Sequence, residues 1–149
     1  MNKLIVLVGL SGSGKSSYST EIADKFSAKI LTENVENQSI NEILLKTLRK
    51  EIASRNVIID ANNIDSRARL NILEQVKHIP CEKICIVIDK PLRDCLIDNR
   101  NRLHSVSDEM LLSQYDAFTY PSVEEGWDII KVIKPNRFFY DRKEQPNEN

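Results

Sequence analysis

A continuous apolar run, Leu4-Ile5-Val6-Leu7-Val8, passes directly into Gly9-Leu10-Ser11-Gly12-Ser13-Gly14-Lys15-Ser16, and this junction constrains the chain more than any other feature of its 149 residues. A short, β-branched, wholly apolar run reads as a strand covered on both faces. The spacing G-x₄-G-K-S, after a strand and before a helix, predicts a loop whose backbone N–H groups turn inward onto phosphate oxygens, backed by the positive end of a helix dipole. Lys15 is then placed to reach β- and γ-phosphates, and the Ser16 hydroxyl to take one Mg²⁺ position. The structural alternative is a glycine-rich turn that happens to carry a lysine. It would require neither the strand before the loop nor the helix after it.

The rest of the chain repeats strand-then-helix signals. Helices are expected over Lys15 to about Phe26, from Ile40 to Ile52, from Leu70 to near His78, from Leu92 through Arg102, and from Asp108 to Phe118. Strands are expected at Leu4–Val8, Lys29–Leu31, Val57–Ile59, Ile84–Ile88 and Ile129–Ile133. This alternation predicts an α/β fold, a three-layer sandwich in which a mostly parallel sheet with right-handed crossovers is covered by helices on both faces. Ligands of such sheets gather at the carboxyl ends of the strands, where Gly9, Glu33, Asp60 and the Lys90 region all fall. Residues 1–136 are expected to form one domain with a lid at about 98–118, and 137–149 a polar tail.

Composition removes several classes. Apolar residues at 41% and charged residues at 29% describe a globular chain rather than a disordered one. No apolar stretch approaches the roughly 20 residues that span a bilayer, and the N-terminal run lacks a small-residue cleavage site, so a cytoplasmic location is expected. Cys81, Cys85 and Cys95 are odd in number and lack metal-site spacing, which favours reduced core thiols. A net charge of −1 gives no global basic field, and clusters such as Lys46, Arg49, Lys50 and Arg55 read as a solvated helix face.

Beyond the loop, Val57-Ile58-Ile59-Asp60-Ala61-Asn62-Asn63, Arg69, Asn99-Arg100-Asn101-Arg102, Phe118, Pro121 and Glu125-Gly126-Trp127-Asp128 follow one another in a distinctive order. They resemble the kinase domain of the polynucleotide kinase family. That pattern runs strand, D-x-T-N, an arginine six residues on, a lid R-N-x-x-R and a closing F-x-x-P-x-x-E-G-F-D. The resemblance spans Leu4 to Ile133 and implies a P-loop kinase with a helical lid that uses ATP and Mg²⁺. It makes Gly9, Ser11, Gly12, Ser13, Gly14, Lys15, Ser16, Ser17 and Arg102 nucleotide-binding residues. It also makes Asp60 an acid orienting Mg²⁺ or its water beside Ser16, Asn63 a neighbour that fixes that loop, Arg102 a lid arginine acting on the transferring phosphoryl group, and Asn63, Arg69 and Arg100 residues of the acceptor or lid side. The bland alternative for Asp60 is a helix N-cap, and for Trp127 a core indole rather than a stacking platform.

Three departures from the pattern matter. Asp98 stands where the first lid arginine belongs. Glu33 occupies the place of the catalytic Asp, with no arginine after it, and Glu36 is a nearby competitor for the role of base. Only Thr32 to Asn56 separates the second strand from the third, which implies a wider acceptor site and a bulky acceptor. The expectation is therefore transfer of the γ-phosphate to a hydroxyl on a nucleic acid, DNA or RNA, with a 5′-hydroxyl end foremost. A hydroxymethyl pyrimidine in modified DNA, a nucleoside or nucleotide, and a non-enzymatic nucleotide switch are the alternatives.

Overall fold

The computed structural model describes residues 1–32 and 39–135. Five strands, β1 (Asn2–Val8), β2 (Lys29–Thr32), β3 (Val57–Asp60), β4 (Cys81–Ile88) and β5 (Ile129–Ile133), form one sheet in the order β2-β3-β1-β4-β5. Every pairing is parallel: Ile5 lies opposite Ile58 on one side and Ile84 on the other, and Cys85 lies opposite Ile130. Parallel neighbours need long crossovers, supplied by α1 (Lys15–Phe26), α2 (Ser39–Ile52), α3 (Ser66–Val76), α4 (Leu92–Arg100) and α5 (Asp108–Ala117).

The two-residue period of the strands divides the core. Leu4, Val6 and Val8 of β1 point to one face, where they meet Leu48 and Ile52 of α2 and Ile72, Leu73 and Val76 of α3. Ile5 and Leu7 point to the other, where Ile22 of α1 packs over Ile58, Ile84, Ile86 and Ile88. Full burial of such a side chain contributes roughly 1.5–3 kcal/mol, so β1, buried from Leu4 onward, is the stiffest available base for the loop that follows it. A third, smaller cluster of Leu10, Cys95 and Leu111 lies beyond the carboxyl end of the sheet and joins that loop to α4 and α5.

Several element ends differ from the sequence expectation, and three of the differences have a visible cause. β4 begins at Cys81, because Cys81, Glu82 and Lys83 pair with Asn2, Lys3 and Leu4 despite their mixed polarity. Helix α3 begins at Ser66, where the Asp65 side chain accepts from Ala68 N at 2.8 Å. Helix α4 stops at Arg100 rather than running through Arg102, since the Asn99 side chain captures the following loop, accepting from Val106 N and donating to the Val106 carbonyl. The expected polar tail and Glu33 both lie outside the described residues.

Candidate active site

Gly9 leaves the sheet with its amide donating to the Asn62 carbonyl at 3.0 Å, so the loop after β1 is tied to the loop after β3. Gly12 and Gly14 adopt φ of +82° and +96°, the left-handed region that costs glycine nothing. Gly12 has a second reason to lack a side chain: a Cβ there would stand 2.5 Å from the Cys95 carbonyl oxygen of α4. At Gly14 a Cβ would meet nothing within 4 Å, which leaves open space over the start of α1. The first amides of that helix, Lys15, Ser16 and Ser17, have no carbonyl within the helix.

Lys15 is buried, its Nζ donating to the Leu10 carbonyl at 2.8 Å. Burial, with a smaller contribution from Arg102, lowers its pKa to about 8 against the raising effects of Asp60 and Cys95. Asp60 is itself buried, and the Ser19 hydroxyl of α1 lies 3.0 Å from its Oδ2. The same hydroxyl is 2.9 Å from the Ser16 carbonyl. The N-cap alternative for Asp60 does not hold, since Asp65 caps the helix that follows.

Asn63, expected to fix the loop after β3, and Arg69, expected on the acceptor or lid side, are both buried inside the protein. Asn63, at φ +48°, donates from Nδ2 to the Leu7 carbonyl at 2.8 Å and so fixes the turn after β3 to β1. Arg69 is 0% exposed and forms a bidentate pair with Glu125, Nε to Oε1 at 3.0 Å and Nη2 to Oε2 at 2.9 Å. Its Nη1 donates to the Asn63 carbonyl and its Nη2 also to Thr119 Oγ1. The indole of Trp127, a core residue, adds a 2.8 Å hydrogen bond to Glu125 Oε1. Burial alone would raise the Glu125 pKa, but these donors outweigh it and hold the carboxyl below its usual range. Arg69 thus clamps the β3 turn to the closing segment.

The lid also departs from expectation. Asp98, in the place of the family's first lid arginine, pairs with buried Lys90, and Lys90 Nζ donates to the Gly12 carbonyl at 3.0 Å. Arg100 turns away to Asp108 across the α4–α5 loop, at 2.6 Å. Exposed Arg102 lies beyond the end of α4 and donates to the His104 carbonyl at 3.1 Å. Sequence reasoning passed over Gln114 of α5, which accepts from Ser11 N at 2.9 Å and donates to Ser11 Oγ at 3.0 Å.

These residues fit a nucleoside triphosphate and a hard cation. Ser13 Oγ is buried with no hydrogen-bond partner among the described residues, Lys15 is a buried cation held by a neutral carbonyl, and open space lies at Gly14. Ser16 and Asp60 offer two hard oxygen donors, the sparse set with which Mg²⁺ is held beside phosphates and water. Among the described residues no group of three His, Cys, Asp or Glu gathers as a closed metal cage. Burial pushes the Cys85 thiol up to about 12 and that of Cys95 to about 11, which removes both from thiolate chemistry. A groove of ≈ 770 Å³ lined by Lys77, His78, Pro80 and Asp128 lies at the amino end of β4 and contains none of these residues. No described helix is long and apolar enough to cross a membrane.

Solved structures share this architecture at low identity. Chaetomium thermophilum Kti12, in complex with ADP-AlF3, superposes with a TM-score of 0.72 at 13% identity over 88% of each chain. The APS kinase CysC of Mycobacterium tuberculosis, with AMPPNP and APS, gives 0.62 at 16% identity over 97% of this chain and 95% of that one. A gluconokinase from Sinorhizobium meliloti 1021 gives 0.63 at 17% identity over 89% and 82%. Identities this low establish the α/β P-loop kinase fold alone. No curated protein matches the sequence. The AAA domain family profile, however, matches residues 4–121, a span holding the glycine loop, Asp60, Arg69, the lid and Gln114, and the chain is a member of that family.

Proposed function

We propose that this protein is an ATP-dependent phosphotransferase whose acceptor is a hydroxyl of a nucleic acid, foremost a 5′-hydroxyl end. The observation that carries the transferase reading is buried Lys15 of the glycine loop beside buried Asp60, whose carboxylate the Ser19 hydroxyl joins to the Ser16 carbonyl at the carboxyl end of the sheet. Bound Mg·ATP supplies the phosphoryl group; the protein supplies position and charge. Lys15 and the first amides of α1 would hold the phosphates, Ser16 and Asp60 would offer oxygens to the cation, and Arg102 is the proposed lid residue whose positive charge would favour the transition state.

The nucleic-acid acceptor rests on the resemblance to polynucleotide kinases, supported by the way the residues of its closing pattern act together. Arg69, Glu125 and Trp127 form one hydrogen-bonded unit, so the pattern behaves as a structural module rather than a chance string. Glu33, the residue that follows β2 in the sequence, is the proposed base for the acceptor hydroxyl. A small-molecule acceptor is the second reading, favoured by the shared fold of the gluconokinase and the APS kinase. Radiolabelled phosphate transfer across 5′-hydroxyl DNA, 5′-hydroxyl RNA, hydroxymethyl-pyrimidine DNA, free nucleosides and gluconate separates the two. Label on an oligonucleotide end supports the proposal, and label only on a nucleoside or sugar acid overturns its acceptor.

A further inference from the structure

The phosphate loop is held in shape from outside its own motif, and one of its holders sits on the lid helix. Ser11 and Gln114 are 103 residues apart, both buried, and joined by two reciprocal hydrogen bonds through the Ser11 amide and hydroxyl. Two well-formed bonds inside a low-dielectric site are directional constraints, and breaking them leaves buried groups unpaired. Ser13 N donates to the Leu10 carbonyl at 3.1 Å, the acceptor that Lys15 Nζ also uses. With the Ser11 and Ser13 amides engaged by the protein, the backbone donors left for phosphate are those of Gly12, Gly14 and the start of α1. Helix α5 is otherwise lightly moored: its buried residues are Leu111 and Gln114.

We infer that Gln114 is a positioning residue that couples helix α5 to nucleotide binding, an inference resting on the nucleotide-binding reading of the loop. By turning the Ser11 amide away from the phosphate side, Gln114 sets where the left-handed turn at Gly12 begins, and with it the aim of the amides beyond. Coupling of this kind is reciprocal: if α5 in its seated position favours nucleotide, nucleotide must favour the seated α5 by the same factor. Helix α5 directly follows the α4–α5 loop that carries Arg102, and the Arg100–Asp108 pair ties the two ends of that loop.

The test uses ADP with the full chain. Calorimetric ADP binding to the parent is measured first; no binding there defeats the nucleotide reading itself, and with it this inference. Gln114→Met keeps length and volume but removes both hydrogen bonds, and is expected to weaken ADP by about tenfold, with Ser11→Ala weakening it by roughly threefold. Amide hydrogen exchange over residues 108–117 supplies a readout that a merely structural role would not move. In the parent, saturating ADP slows exchange of α5; in Gln114→Met that protection is lost. Unchanged ADP affinity in a folded Gln114→Met, or α5 exchange in the parent indifferent to ADP, overturns the inference. Should Gln114→Met fail to fold, the parent exchange experiment decides alone.

Discussion

The Ser19 hydroxyl stands 3.0 Å from Asp60 Oδ2 and 2.9 Å from the Ser16 carbonyl, so one side chain on the second turn of α1 ties the acid of β3 to the residue that offers the loop its hydroxyl. Partners that orient a metal ligand typically affect affinity for the cation by about 10–100-fold. Ser19 acts on a ligand expected to bind partly through water, so Ser19→Ala should raise the Mg²⁺ concentration for half-maximal MgADP binding by roughly 3–10-fold, while Ser19→Thr keeps the hydroxyl and stays near the parent. Calorimetric titrations at several Mg²⁺ concentrations measure this, and an Ala variant with the parent's Mg²⁺ dependence would remove Ser19 from the role.

Lys15 provides a pH test. Its pKa falls from 10.5 to about 8 on folding, chiefly through burial. A lysine with a lowered folded pKa binds fewer protons in the native state than in the unfolded state between those two values. Stability therefore rises with pH across that window, and the full cost is present below it. Lys15→Met removes the buried charge, so without nucleotide it should be more stable than the parent near neutral pH. The gap should close, by up to about 3 kcal/mol, between about pH 8 and 10.5. Urea unfolding of both proteins across that range checks the sign. The same variant should lose phosphate transfer.

Arg69 separates the clamp from the acceptor-residue expectation. Removing one partner of a fully buried, bidentate ion pair costs about 3–5 kcal/mol because the other charge is left unpaired. Arg69→Met should therefore be strongly destabilised, and Arg69→Met combined with Glu125→Gln should recover part of the loss. Denaturation of the single and double variants measures this. A stable Arg69→Met lacking only transfer would instead return Arg69 to the acceptor site.

For the lid, Arg102→Ala should lower kcat more than it raises the KM for ATP, because charge on the transferring group develops during the reaction. Arg100 is occupied by Asp108 on the surface, and Arg100→Ala should change both parameters little. Steady-state kinetics of the two variants rank them, and a deeper defect at Arg100 would contradict the placement of Arg102 in the site.

How far the sequence reveals this molecule varies with the range of the interaction. Local signals are legible: helix α1 spans Lys15–Phe26 as its periodicity indicates, and the strands sit on the apolar runs. The glycine loop is legible for the same reason, since its chemistry lies in consecutive residues. Ser19 and Gln114 are not, because their partners Asp60 and Ser11 lie 41 and 103 residues away and no local pattern marks them. Arg69 was legible as a member of a pattern but not in its role. A charged residue in an ordered motif reads as a ligand until its burial and its partner Glu125 are seen. The end of α4 at Arg100 is not legible because the side chain of Asn99, not any breaker residue, closes the helix.

The central claim, transfer of a phosphoryl group to a hydroxyl rather than to water, is tested most directly in a single turnover. Parent protein in excess over radiolabelled ATP is mixed with a 5′-hydroxyl oligonucleotide and quenched over time, alongside Glu33→Gln and Glu36→Gln. The account predicts label appearing on the oligonucleotide as fast as ATP disappears. Glu33→Gln should be slower by roughly 10²–10⁴ and Glu36→Gln should stay near the parent. Label appearing only as free phosphate at a rate indifferent to the oligonucleotide would contradict the claim and make the protein a nucleotide-hydrolysing switch.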